Sequence, residues 1–364
     1  MDLSAFGVTA KKQTDSGIST IKDLQLLCDS CSLTELRNIF GVNSVQCAKL
    51  RQQFGTTSES IISFPMFDDI QNVDVLSHLQ KKERRSFSVC SWNIKNLGKK
   101  SEDYPKNVPE LIGVLRTIDA DVVCIEEVFP SDDEKSPYSE WIRQVEELGY
   151  IPILSPQTGY YEKYTESTLV LFKADTLNPN SAHMLTSPIT STDYRNPFPR
   201  SPFGVLFSRP GKSSCLFTVV VVHLSPGDSN HKGRQEQVCH LVSALNGHSK
   251  SELLVRTLLV GDFNIASKSE LNSIRNQRPL RNWKFLNSTL EPTTFGGKSY
   301  DHVVVHNDFT ATWAFSFKVF DLLSVDGVQK AWNDCSTIAE KSHFFLKFSD
   351  HYPVYVTFMP SKRK

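Results

Sequence analysis

The chain has 364 residues, 22% charged and 39% hydrophobic, and its 40 Lys plus Arg balance 40 Asp plus Glu. A chain of this size can hold one large α/β domain with a small companion, and it buries a full core without disulfides or structural zinc. Zero formal charge excludes a globally basic nucleic-acid binder and an acidic solvating tail, though not a local basic groove.

The composition also excludes collagen-like, low-complexity and largely disordered chains. No run of about 18 apolar residues occurs, so no transmembrane helix and no membrane partner are expected. Met1 to Ala10 lacks a charged segment followed by an apolar one, and position 2 is not Gly. Neither a secretory signal nor myristoylation is therefore expected, and the expected location is intracellular. Among the cysteines only Cys28 and Cys31 form a CxxC, in a helical pattern and without a second pair, which reads as structural. Cys90, Cys124 and Cys215 lie in apolar runs and read as reduced, buried thiols.

Residues 1–20 are polar and predict a flexible tail. Residues 21–64 predict helices, with apolar residues at Ile21, Leu24, Leu27, Leu33, Leu36 and Ile39. Residues 65–85 predict a linker carrying the basic cluster Lys81, Lys82, Arg84 and Arg85. That cluster, with Lys362 to Lys364, favours a nuclear over a cytoplasmic location.

From residue 86 to 360 the pattern changes to one catalytic-sized domain. Short β-branched runs appear at 88–94, 121–128, 168–173, 217–224, 257–263, 300–306 and 352–358. Helices are predicted at about 106–118, 138–148, 231–247 and 326–334. Near-continuous Val, Ile and Leu runs predict strands buried on both faces, and their alternation with helices predicts a layered α/β fold.

Several of these buried runs end in residues that a core rejects. They are Asn93, Glu126-Glu127, His223, Asp262 with Asn264, Asp301, and Asp350-His351. Singly, each has an ordinary reading: a turn, a cap, a satisfied core histidine. Together, at strand ends of one domain, they form the inventory of a divalent-metal phosphoryl-transfer site, with oxygen ligands for a hard cation and two imidazoles for acid–base work.

The segments WNIKNLG (92–98), IEEV (125–128), VHLSPGD (222–228), GDFN (261–264), YDHVVV (300–305) and SDHYPV (349–354) resemble the endonuclease/exonuclease/phosphatase superfamily. Within it they look closest to deoxyribonuclease I, on the strength of ESTLVLFK (166–173), Arg200-Ser201-Pro202 and the loop after His223. The resemblance implies a four-layer α/β sandwich, two packed mixed sheets flanked by helices. It implies a metal-dependent endonuclease that hydrolyses DNA to 3′-hydroxyl and 5′-phosphate ends. His223, His351, Asp262, Asn264, Asp301 and Glu166 would be catalytic. Glu127, Asn93 and Asp350 would hold Mg²⁺, with Mn²⁺ or Ca²⁺ as alternatives. Arg200, Lys95 and Tyr300 would hold phosphates. No small-molecule cofactor is implied, and the oligomeric state is left open. Glu126 stands where the family usually has Gln, adding a charge near the metal, and Phe129 and Lys95 replace arginines. The competing readings are a phosphodiesterase of the same fold acting on RNA, phospholipid or inositol phosphate, and a DNA-binding scaffold with a decayed site.

Residues 39–62 resemble a helix-hairpin-helix element, which implies an all-α module that binds DNA backbone. Gly41 and Asn43 would form the hairpin, and Lys49 and Arg51 would meet phosphates. Such a tether raises the local concentration of substrate. Deleting residues 1–64 should raise KM for long duplex DNA more than it lowers kcat; identical kinetics with and without the segment would overturn this.

Overall fold

The computed structural model describes residues 86–99, 106–159, 165–185, 198–212, 215–227, 229–247, 256–265 and 267–361, with Leu24 and Phe40. The helix-hairpin-helix expectation, with Gly41, Asn43, Lys49 and Arg51, lies outside the described residues, as do both basic clusters.

In chain order the elements are β1 (Phe87–Leu97), α1 (Val108–Ile118), β2 (Val122–Val128), α2 (Pro137–Glu147), β3 (Tyr150–Leu154), β4 (Ser167–Lys173), β5 (Asn178–Met184), β6 (Phe203–Ser208) and β7 (Cys215–His223). They continue with α3 (His231–Gly247), β8 (Thr257–Asp262), α4 (Lys268–Arg275), β9 (Trp283–Phe285), β10 (Asp301–His306), α5 (Asn307–Thr312), β11 (Trp313–Val319), α6 (Asp326–Asn333), α7 (Ile338–Lys347) and β12 (Val354–Pro360). One six-stranded sheet runs β11-β12-β1-β2-β4-β3 and the other β5-β6-β7-β8-β10-β9. Both are mixed: β1 with β2 and β7 with β8 are parallel, and their other pairings, as with β12 and β6, are antiparallel. Two mixed sheets flanked by helices are the expected sandwich, and the strand runs and helices predicted between residues 86 and 360 are present; the helices predicted over 21–64 lie outside the described residues.

Strand parity explains how the layers form. Side chains alternate between faces with a period of two. On β7, Val220 and Val222 join Val238, Leu241, Val242 and Leu245 of α3 in one apolar cluster. Phe217, of the opposite parity, stacks on Phe87 of β1 with ring centroids 4.3 Å apart. One face of the second sheet thus packs on helices, and the other packs on the first sheet. His223 shares the parity of Phe217. Asn93 on β1 shares the parity of Phe87. The polar strand ends therefore project into the layer between the sheets, at its mouth.

Several elements escaped the sequence reading. β5 (NPNSAHM) is an edge strand exposed at alternate residues, so it carries no apolar signal. α7 has a capping box, Thr337 with Glu340, which is legible in the sequence as Thr-x-x-Glu.

Gly261 allows the closest backbone approach at the site. Its φ is +135°, and a Cβ there would overlap the carbonyl of Val222, its partner across the parallel β7–β8 pair. Gly261→Ala should cost on the order of 3 kcal/mol or more. Urea denaturation checks this, and an unchanged midpoint would show that the strands can part there freely.

Candidate active site

Strand register sets the centre of the site. Asp262 ends β8, with His223 opposite it on β7 and Asp301 opposite it on β10. All three share one row and one face. His351, in the loop before β12, completes the group. Its Nδ1 lies 2.9 Å from Asp301 Oδ2, and His223 Nδ1 lies 2.6 Å from Glu166 Oε1. Each imidazole thus has its own carboxylate behind it, and each points Nε2 at the same atom, Asp262 Oδ2, at 3.8 Å. Arg200 Nε lies 3.0 Å from Glu166 Oε2, so that carboxylate bridges an imidazole and a guanidinium.

The first sheet supplies the other side. Asn93 donates from Nδ2 to Glu127 Oε1 at 3.0 Å and to Asp262 Oδ2 at 3.2 Å. Its Oδ1 accepts from Lys95 N at 3.0 Å. Glu127 reaches this position through a bulge between Ile125 and Val128 and a left-handed backbone, φ +58°. Lys95, Asn96 and Asn264 are also left-handed, at +55°, +60° and +52°. Non-glycine residues rarely adopt this conformation, and they cluster where a site fixes the direction of a side chain. The backbone N–H of Asn264 donates to Asp262 Oδ1 at 2.8 Å, and its side-chain amide donates to Leu224 O at 3.1 Å.

Lys95 and Asp350, expected on a phosphate and on a metal, are paired with each other, Nζ to Oδ2 at 2.5 Å. The Tyr300 ring lies 6.0 Å from that of His351. Glu126 is fully buried and turned inward, accepting from Asp262 N at 2.8 Å and from Ser91 Oγ at 3.1 Å. Burial drives its pKa well above the usual carboxylate range, so the protonated form is favoured and the expected extra charge is suppressed.

Further groups hold this set together and were not read from the sequence. Thr293 Oγ1 donates to Asp301 Oδ2 at 2.6 Å. Lys106 Nζ ties Ile94 O to Phe348 O at 2.8 and 2.9 Å, joining the strand of Asn93 to the loop of His351, and burial pushes its pKa down to about 7. Ser349 Oγ donates to Asn93 O at 2.7 Å and accepts from His351 N at 2.9 Å. Thr293 and Lys106 carry no sequence pattern of their own, and Ser349, though it opens SDHYPV, was given no role from the sequence.

Among the described residues, no group of three or more His, Cys, Asp or Glu side chains is arranged to hold a metal. The donor set is nonetheless that of a Mg²⁺-type cation, which keeps most of its waters and takes one or two carboxylates together with substrate oxygens. Glu127, only partly buried beside the Asn93 amide, is the carboxylate that fits.

Burial opposes a cation at His223, but Glu166 and Asp262 outweigh it and lift the imidazole from 6.5 to about 9. His351 is likewise raised, against burial, by Asp301, Asp262 and Asp350. A histidine raised in this way stabilises the fold fully below its unfolded pKa, and the contribution is lost as pH rises through the folded value. Glu166→Gln should therefore destabilise the protein by on the order of 3 kcal/mol more at pH 6 than at pH 10. Equal losses at both pH values in urea denaturation would exclude Glu166 as the cause.

Among solved structures, the fold matches the human Nocturnin catalytic domain with bound sulfate, at TM-score 0.52 and 15% identity, over 76% of this chain and 94% of that one. It matches ANGEL2, a 2′,3′-cyclic phosphatase, at TM-score 0.50 and 17% identity, over 77% and 99%. Truncated Caenorhabditis elegans TDP2 aligns at TM-score 0.48 and 15% identity, over 75% and 97%. No curated protein matches the chain. The expected kinship with deoxyribonuclease I is corrected by these findings: the solved folds that the chain follows are those of Nocturnin and ANGEL2. The pieces that suggested it, a strand, an Arg-x-Pro and one loop, are too short to separate branches of a shared fold. Residues 90–351 match the Endonuclease/Exonuclease/phosphatase family, a span that contains every strand-end group described above, and the chain belongs to that family.

Proposed function

We propose that the chain is a metal-dependent phosphodiesterase that cleaves nucleic-acid backbone by attack of water on phosphorus. The observation that carries this reading is Asp262 Oδ2 at 3.8 Å from the Nε2 of both His223 and His351. Two imidazoles that favour the cation flank one carboxylate at the mouth between the sheets.

In this reading Asp262 accepts a hydrogen bond from the attacking water and orients it, with Asn264 N holding the carboxylate from behind. The water oxygen bonds to phosphorus and its proton passes to Asp262, the ester P–O bond breaks, and an imidazolium Nε2–H gives its proton to the leaving oxygen. Glu166 and Asp301 hold their histidines by Nδ1 and keep Nε2 aimed at the phosphate. Arg200 and Tyr300 border the same space and suit flanking phosphate groups, Arg200 through its fork. Glu127 with Asn93 would hold the cation, which when bound polarises the phosphate and offsets charge on the leaving oxygen.

RNA is the primary substrate in this proposal, since the matching fold of ANGEL2 is that of a 2′,3′-cyclic phosphatase. DNA is the competing substrate, because residues 39–62 resemble a backbone-binding hairpin.

Nicking of supercoiled plasmid with Mg²⁺, with and without EDTA, tests the reading beside an end-labelled RNA. His351→Ala and Asp262→Ala should each lower the rate by about 10²–10⁴-fold. Metal-independent cleavage, or cleavage undiminished in both variants, would overturn the mechanism; activity on the plasmid alone would move the substrate to DNA.

A further inference from the structure

α3 presents a buried stripe of Arg234, Gln237, Val238, Leu241, Val242 and Leu245. Its last four residues pack in the apolar cluster, as a helix stripe should. Its first two are polar and buried, Arg234 fully so. Taking a guanidinium out of water costs several kcal/mol unless its donors and its charge are matched.

The matching groups lie in one place. Arg234 Nη1 donates to Ser225 O at 3.1 Å and to Gly227 O at 2.7 Å. Gln237 accepts from Ser225 N at 3.1 Å and donates to Ser225 Oγ at 3.0 Å. Glu270, buried on α4, accepts from Arg234 Nε at 2.7 Å and balances its charge. Ser225 and Gly227 belong to the segment that leaves β7 directly after His223. Gly227 has φ +98°, and Leu224, the residue before Ser225, accepts from the Asn264 side chain.

We infer that Arg234 and Gln237 are positioning residues for the proposed reaction: they clamp the Ser225–Gly227 turn and so fix the exit from β7 that aims His223 at Asp262. The inference rests on the function proposed above. An apolar pair at 234 and 270 would fill the same space and serve stability equally well or better. What such a pair cannot do is hold two backbone carbonyls two and four residues beyond a histidine. The bond geometry of the guanidinium, two carbonyls on one nitrogen and a carboxylate on another, also cannot be met by a lysine.

The test separates anchoring from folding. Arg234→Met alone leaves Glu270 buried without its arginine and should lower the melting temperature. Arg234→Met combined with Glu270→Met should recover it, while kcat stays at least tenfold below wild type with KM changed less than threefold. Amide hydrogen exchange at residues 224–227 should be faster in the double variant than in wild type. Gln237→Met, which removes the Ser225 bonds, should lower kcat several-fold at nearly unchanged melting temperature, and it serves if the double variant does not fold. Wild-type kcat in Gln237→Met and in any folded double variant, with unchanged exchange at 224–227, would overturn the clamp. If wild type cleaves no phosphodiester at all, the proposed function fails first, and the exchange measurement still decides whether the turn is held by these side chains.

Discussion

One carboxylate oxygen, Asp262 Oδ2, ties the two halves of the site to each other. It lies 3.8 Å from two imidazoles and 3.2 Å from an amide nitrogen, and these three groups come from β7, from the loop before β12 and from β1. The attraction is strong because the layer between the sheets is poor in water, and in such surroundings charges of opposite sign hold each other far more firmly than at a surface. The imidazoles are shifted toward the cation because Glu166, Asp301 and Asp262 face them. The carboxylates in turn are tolerated in the interior because the imidazoles, Arg200 and Thr293 answer them. No member of this set would be stable in its position without the others.

That dependence explains why so much of the surrounding structure is devoted to fixing angles. β8 brings Asp262 close to β7 only because Gly261 lets the Val222 carbonyl approach. β2 breaks its own register to turn Glu127 toward Asn93 while Glu126 braces the Asp262 amide from below. Lys106 and Ser349 bind the first strand to the loop of His351 by backbone carbonyls rather than by reactive groups. The site is rigid by construction, as a site that stabilises charge must be.

Much of this was legible in the chain itself. The residues Asn93, Glu127, His223, Asp262, Asp301 and His351 stood out because they interrupt buried β-branched runs, and the fold brings them together for the same reason: strand ends of equal parity open into one layer. The helix read over 231–247 is the helix found. What stayed hidden follows from the physics of each case. β5 is half solvated and has no apolar alternation to detect. Glu126 looked like an added charge because a sequence does not reveal that burial favours its neutral form. Thr293 and Arg234 act through contacts with residues 8 and up to 36 positions away, and neither belongs to a motif. The kinship with deoxyribonuclease I was misread because a few short pieces were taken to mark a branch of a fold that is shared more widely.

The pairing of β1 has a consequence for how the protein is made. This strand lies between β2 and β12, and its Trp92 indole donates to the His351 carbonyl, 259 residues further along the chain. A ribosome that adds roughly 5–20 residues per second needs on the order of 13–50 s to cover that distance. Throughout that interval β1 can pair with β2, but its other edge, rich in apolar side chains, stays open. The nascent chain therefore carries an adhesive strand for most of its synthesis, and the strand-end constellation closes in the same step that finally covers it.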